Sequence, residues 1–141
     1  MIKTILILSC IYFPLASALG RTQSVGVKGR LMCHDKPASG VRVKLYEKDV
    51  LVDTKLDDKT TDSNGEYLLQ GTDTEFSTID PRLNIYHDCD DDWTPCQRRI
   101  TISIPDKYVA SGSTATNIFD MGTLQLAGKF SGETRDCIHR H

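Results

Sequence analysis

The sequence predicts an all-β domain, a sandwich or barrel of short strands that disulfides hold together. Three observations favour this fold class. Apolar and polar residues alternate in several short segments, as in antiparallel strands that bury one face. Turn-forming residues separate these segments at short intervals. Four cysteines follow the N-terminal segment, and an even number of cysteines in a secreted domain is typical of a disulfide framework.

The N-terminal residues 1–18 are typical of a secretory signal peptide. Lys3 supplies a positive charge, an apolar stretch follows it, and Ala16-Ser17-Ala18 matches a cleavage site. The alternative is an uncleaved membrane anchor. However, Ser9 and Pro14 interrupt the apolar stretch, and a membrane span needs ~20 apolar residues. We therefore predict a secreted, extracellular protein whose mature chain begins after residue 18.

Length and charge limit the number of domains and the classes of partner that the chain can have. The full sequence has 141 residues, of which 123 follow residue 18, and its formal net charge of −2 gives no reason to expect a nucleic-acid partner. Residues 19–127 are predicted to form one domain, and no stretch within them is apolar enough to be a transmembrane segment. Residues 128–141 are predicted to be a polar, loosely ordered tail that Cys137 attaches to the domain.

Four segments carry the strand pattern, and turn-forming residues lie between them. The apolar positions of the alternation are, in chain order, Val25, Val27 and Leu31; Val41, Val43 and Leu45; Leu83 and Ile85; and Ile100, Ile102 and Ile104. The turn signals fall at residues 35–40, 62–65 and 111–113. Asn64-Gly65 favours a tight hairpin, because both residues accept positive φ.

The alternation also orients two of the cysteines. Cys33 is in phase with the inward residues of the first segment, and Cys89 is in phase with Leu83 and Ile85. Four cysteines allow three pairings. Because Cys89 and Cys96 flank one short polar turn, the simplest pairing joins Cys89 to Cys96 and Cys33 to Cys137. The alternative is a zinc site, but the sequence has no CxxC pair or close Cys/His spacing, so we expect no metal or other cofactor.

Several short motifs occur together along the predicted domain. They are Val27–Leu31 with Cys33, residues 41–49 (VRVKLYEKD), 60–67 (TTDSNGEY), 79–81 (IDP), 83–89 (LNIYHDC), Pro95-Cys96 with Arg98-Arg99, 104–108 (IPDKY) and 120–126 (DMGTLQL). As a set they resemble the transthyretin-like family of nematode secreted proteins. The resemblance implies a transthyretin-type β-sandwich of seven or eight mostly antiparallel strands in two sheets.

The resemblance implies a compartment more firmly than an activity. Transthyretin carries thyroid hormone in a tetramer channel, and its enzymatic relatives hydrolyse 5-hydroxyisourate and end in a Tyr-Arg-Gly-Ser signature. This chain instead ends at residues 133–141 with ETRDCIHRH, which removes the support for a hydrolase. The sequence also shows no Ser/His/Asp or Cys/His arrangement for catalysis around His34 or His87.

We therefore predict a non-enzymatic extracellular binding protein. It presents loops or a sheet face to a cell-surface receptor, a lipid headgroup or a secreted partner, including as a bridge between two of them. The alternative is a carrier of a small apolar ligand in a cavity or at a subunit interface, and a hydrolase is the third hypothesis.

Two surfaces are candidates for partner binding. The first is the loop from Asp88 to Thr94, whose Asp90, Asp91 and Asp92 could steer a basic partner while Trp93 supplies an apolar anchor. Its alternatives are a solvated rim, a Ca²⁺ site, or a tryptophan ring that covers a disulfide. The second is a basic stripe, which requires that two strands be neighbours; its residues are Arg42, Lys44, Arg98 and Arg99. Its alternative is an ordinary solvated sheet face.

Overall fold

The computed structural model describes residues 20–92 and 94–138, which form a two-sheet β-sandwich. The strands are β1 (Arg21–Cys33), β2 (Lys36–Pro37), β3 (Arg42–Glu47), β4 (Thr54–Thr60), β5 (Glu66–Glu75), β6 (Pro81–His87), β7 (Gln97–Ser103), β8 (Ala110–Ser111), β9 (Phe119–Gln125) and β10 (Thr134–Asp136). One turn of 3₁₀ helix lies at Asp106–Tyr108. The predicted all-β sandwich is confirmed. The predicted signal peptide lies outside the described residues.

The two sheets have different organisations. In the first sheet the long β1 pairs antiparallel with β5, β2 and β8 and parallel with β9. The second sheet has the order β10-β7-β6-β3-β4, and its neighbouring strands are antiparallel. Among the described strands, β1 and β9 form a parallel pair, and the other strand pairs are antiparallel.

The core lies between the two inner faces, where the alternation of the sequence places it. The fully buried side chains at predicted inward positions are Val25, Val27, Leu31, Val43, Leu45, Leu83 and Ile85. Tyr86 departs from the alternation, because it is 1% exposed although it belongs to the outer face. The guanidinium of Arg42 lies 5.6 Å from the centre of its ring and covers it.

The turn at Asn64-Gly65 forms, but it is not a hairpin between paired strands. The Gly65 N–H donates to the carbonyl oxygen of Asp62 at 3.0 Å, and Gly65 has φ of 76°. The turn leads from β4 in the second sheet to β5 in the first. A Cβ at Gly65 would collide with the carbonyl oxygen of Leu31, so glycine is required by the close approach as well as by its φ.

The disulfide framework is confirmed, but the predicted pairing is wrong. Cys33 pairs with Cys89, and Cys96 pairs with Cys137. The first bond joins the end of β1 to the residues just after β6, so it links the two sheets. The second extends the β7–β10 ladder by one position, since Gln97 pairs with Asp136. Closeness in sequence did not decide the pairing, because Cys89 faces the opposite sheet.

The segment predicted as a loosely ordered tail adds an edge strand to the second sheet. Residues 134–136 form β10 and pair with residues 97–99 of β7. Asp136 is buried, and Cys137 attaches the strand through Cys96 rather than through Cys33. Up to Ile138, this part of the chain is therefore a structural element of the sandwich.

Candidate functional site

The loop predicted to bind a partner lies at one end of the sandwich, beside both disulfides. We call this the disulfide end. Asp91 is 6% exposed and accepts two hydrogen bonds from Arg135, at 2.7 and 2.9 Å. This contact lowers the pKa of Asp91. Asp90 accepts a 2.6 Å hydrogen bond from Nε2 of His34, and Asp92 is exposed.

Two of the three carboxylates are therefore used within the molecule. Trp93, the proposed apolar anchor, lies outside the described residues. Partner binding by this loop stays a prediction, and it now depends mainly on Asp92 and Trp93.

The backbone at the disulfide end is held in an unusual conformation. Among the described residues, the non-glycine positions with positive φ are His34, Asp90, Asp92 and Cys96. Such conformations cost of order 1–3 kcal/mol each and persist only where surrounding contacts fix them. Here the two disulfides and the ion pair between Asp91 and Arg135 provide those contacts. The loop is thus pre-organised.

A buried network of charged side chains and carbonyl oxygens packs against the inner side of this loop. Arg98 is 4% exposed, and its guanidinium lies 2.7 Å from the carboxylate of Glu133. The same guanidinium donates to the carbonyl oxygen of Cys89 at 2.6 Å and also to that of Gly128. Arg98 therefore joins the loop after β6 to the segment that leads into β10.

His87 lies next to this network but does not form an ion pair with it. Burial, together with the positive charge of Arg98, lowers the pKa of His87 to about 4. The imidazole is therefore neutral at neutral pH. Its Nδ1 accepts the Cys89 N–H at 3.1 Å, whereas its Nε2 is buried without a hydrogen-bond partner, 4.0 Å from Glu133.

The predicted basic stripe does not form as a continuous surface. β3 and β7 are not neighbours, because β6 lies between them. Arg42 donates to both carboxylate oxygens of Asp58, at 3.0 and 2.5 Å, and Arg98 points into the buried network. Lys44 lies over the ring of Tyr46 and Arg99 bonds to Thr134. The charges on this face are therefore separated and partly neutralised.

A cleft of about 860 Å³ opens beside the Cys33–Cys89 bond. The residues around it combine apolar and polar groups and include Pro37, Ala38, Val41, Tyr86, His87 and Leu126. Clefts of this size are typical of small-molecule sites. This is the geometric feature that the carrier hypothesis requires.

The opposite end of the sandwich carries an apolar surface that the sequence analysis missed. The loop between β3 and β4 exposes Val50 by 98%, Leu51 by 90% and Val52 by 74%. Phe76, just after β5, is 71% exposed. A carboxylate oxygen of Asp49 lies within 4.8 Å of one of Glu75, so the two loops are adjacent. We call Val50, Leu51, Val52 and Phe76 the apolar tip.

The sequence did contain a signal for the apolar tip. Three consecutive apolar residues stand between Asp49 and Asp53 without the alternation of a half-buried strand. Exposed apolar runs of this length cost solubility unless they have a function.

Comparison with known proteins establishes the family. A family model described as "TTR-52: Transthyretin-like family" matches residues 28–105. The chain belongs to the transthyretin-like family. Transthyretin-like protein 5 of Caenorhabditis elegans is 48% identical over 137 residues, covering 96% of this chain and 99% of that protein. Transthyretin-like protein 33 of the same nematode is 52% identical over 121 residues, covering 84% and 85%.

Transthyretin-like protein 2 of C. elegans is 46% identical over 128 residues, with 86% of each chain covered. Among solved structures, a 9R-lipoxygenase from Cyanothece PCC8801 covers 73% of this chain and 16% of its own, at 21% identity and a TM-score of 0.41. That likeness carries no argument. The transthyretin-like family match and the two disulfides are compatible with an extracellular protein.

The part of this chain that matches the transthyretin-like family model reaches both ends of the sandwich. Residues 28–105 contain the apolar residues of the β3–β4 loop and the loop from Asp88 to Thr94, whereas Glu133, Arg135 and Cys137 lie beyond them. None of the described residues belongs to a helix with the length and hydrophobicity needed to cross a bilayer.

Proposed function

We propose that this transthyretin-like protein is a secreted, non-enzymatic binding protein that docks on a lipid membrane surface through the apolar tip. The observation that carries the proposal is the near-complete exposure of Val50, Leu51 and Val52 beside Phe76. Contiguous exposed apolar surface marks interaction sites on soluble domains. All four described cysteines are in disulfides, so none supplies a thiol nucleophile.

The chemistry of the apolar tip favours lipid over a protein receptor. Protein interfaces concentrate their binding energy in Trp, Tyr and Arg, whereas Leu and Val are under-represented. None of the four side chains of the apolar tip can donate or accept a hydrogen bond. Transfer of such side chains from water into an apolar medium lowers the free energy, and the acyl region of a bilayer is an apolar medium.

The expected affinity is modest and reversible. Burying one such side chain contributes about 1.5–3 kcal/mol, and ordering of the loop offsets part of it. A single acyl chain alone gives only marginal membrane binding. We therefore expect the apolar tip to hold the protein at a surface transiently, unless a second contact adds to it.

Cosedimentation with phosphatidylcholine vesicles tests the proposal. Leu51→Ser should weaken vesicle binding about tenfold or more, because it removes the burial of one large apolar side chain. The matched control is Ile138→Ser, since Ile138 is 87% exposed at the disulfide end. The control should bind like the parent. Equal binding by parent and Leu51→Ser protein, or no binding by either, would overturn lipid docking through the apolar tip.

The cleft at the disulfide end favours a second candidate function, carriage of a small apolar ligand. Its volume of about 860 Å³ is the supporting observation. A carrier should take up an apolar fluorescent probe, and Ala38→Trp should block that uptake because Ala38 lines the cleft. Uptake that Leu51→Ser reduces instead would assign the probe to the apolar tip.

A further inference from the structure

Carboxylates from both sheets converge beside the apolar tip. Glu47 is the last residue of β3, Glu75 is the last residue of β5, and Asp49 lies in the loop after β3. One carboxylate oxygen from each lies within 4.8 Å of the other two. Two oxygens bound to one Ca²⁺ ion at 2.3–2.6 Å can be at most about 5 Å apart, so the three oxygens can reach a single ion.

Glu47 supplies a second, independent observation that points to a cation ligand. Its side chain is 5% exposed, and its Oε2 is buried without a hydrogen-bond partner. A buried carboxylate oxygen that lacks a partner is costly, and native proteins normally satisfy such groups. Asp73, two residues before Glu75, also has a buried and unpartnered Oδ2. Glu47 is the buried member of the three, and the carboxylate that places one oxygen in the cluster is the one whose Oε2 lacks a hydrogen-bond partner.

Protein cations do not neutralise this cluster. Among the described residues, no Lys, Arg or His nitrogen lies within ion-pair distance of Glu47, Asp49 or Glu75. Burial and the charge of Glu75 raise the pKa of Glu47. Desolvation, Asp49 and Asp73 raise the pKa of Glu75. Desolvation is the largest cause of both shifts and the neighbouring carboxylates add to it, whereas a backbone hydrogen bond from Asp80 opposes the shift of Glu47.

We propose that Glu47, Asp49 and Glu75 bind a Ca²⁺ ion. The donor set consists of oxygen atoms alone, which suits a hard cation and does not suit zinc, with its preference for nitrogen and sulfur. The three ligands come from two strand ends and a loop, so they can adjust to the irregular geometry that Ca²⁺ accepts and Mg²⁺ does not. Solvent and neighbouring carbonyl oxygens can complete the coordination.

The bound ion would act on the structure in two ways. It would link the two sheets at the end opposite the Cys33–Cys89 bond, because Glu47 and Glu75 belong to different sheets. It would also remove net negative charge next to the apolar tip, where a carboxylate cluster repels an anionic surface. Calcium binding itself does not depend on lipid docking, so either proposal can fail alone.

Isothermal titration of the oxidised secreted protein with CaCl₂ tests the site. We expect one ion per chain with an affinity of about 10⁻⁴–10⁻³ M, the range of extracellular calcium modules, and a weaker response to MgCl₂. Glu47→Gln should abolish the response. The matched control is Glu66→Gln, which should titrate like the parent, because Glu66 is exposed at the start of β5, the strand whose other end carries Glu75.

Thermal unfolding separates a calcium ligand from a merely structural residue. In EDTA, Glu47→Gln should raise Tm, because it removes a buried charge that no cation among the described residues neutralises. In saturating CaCl₂ the parent should gain several degrees and the variant should gain none. No heat and no Tm response of the parent to CaCl₂ would overturn the proposal. So would a variant that lowers Tm in EDTA and still responds to calcium.

Discussion

Replacing Arg98 by alanine should lower the free energy of unfolding by about 3–5 kcal/mol, which is the usual loss when one partner of a buried ion pair is removed. Glu133 would keep a nearly buried charge without its 2.7 Å partner. The carbonyl oxygens of Cys89 and Gly128 would lose their donor at the same time. Denaturant unfolding of the oxidised protein at neutral pH measures the change.

The matched control for this prediction is the adjacent arginine. Arg99 faces the other side of β7, and its guanidinium donates one hydrogen bond, to Thr134 at 3.0 Å. Arg99→Ala should therefore cost about 1 kcal/mol or less. If the two alanine variants lose equal stability, the buried contacts of Arg98 with Glu133 and with the Cys89 carbonyl oxygen do not stabilise the fold as the structure indicates.

Removing the Cys33–Cys89 bond by a double serine substitution should cost roughly 4 kcal/mol on the chain-entropy model, because the bond spans 56 residues. The bond also links the sheets at one end, so its loss should loosen the loop after β6. Denaturant unfolding of the double variant without reductant gives the magnitude.

Peptide mapping without reduction checks the pairing behind this prediction. The protein should yield one peptide pair that joins Cys33 to Cys89 and another that joins Cys96 to Cys137. A peptide that joins Cys89 to Cys96 would contradict the framework and restore the pairing expected from closeness in sequence.

Four strands, β1, β3, β6 and β7, could be predicted from the sequence because the core imposes a period of two, whereas the other six strands were not predicted. A buried inner face requires every second residue to be apolar, and Val43 and Leu45 or Leu83 and Ile85 show this directly. β10 was missed because an edge strand of three residues with polar side chains carries no such pattern. Its position depends on pairing with β7 and on Arg98, and both are non-local.

The disulfide pairing illustrates the same limit. Extending the β6–β7 register places residue 89 opposite residue 96, and extending the β7–β10 register places residue 96 opposite residue 137. Cys96 therefore has two candidate partners by register alone. The decisive information was the inward phase of both Cys33 and Cys89, which makes them face each other across the sandwich. The inward phase of the two cysteines could be recognised in the sequence, but the pairing that follows from it depends on which sheet each strand joins.

The candidate sites were harder to predict because charge in a sequence does not reveal its partner. The acidic loop looked available for binding, yet Asp91 is buried against Arg135, which is 44 positions later in the chain. The clustered carboxylates of Glu47, Asp49 and Glu75 come from segments that only the packing of two sheets brings together. The apolar tip is local, and its run of three apolar residues could have been recognised.

Hydrogen exchange of the vesicle-bound protein tests the central claim most directly, because it shows which end of the sandwich contacts the membrane. With phosphatidylcholine vesicles, the backbone amides of residues 48–53 and 76–78 should exchange more slowly than in the free protein. Residues 88–94 should exchange at an unchanged rate. Protection confined to residues 88–94, with none in the two loops of the apolar tip, would contradict the account and return the binding site to the disulfide end.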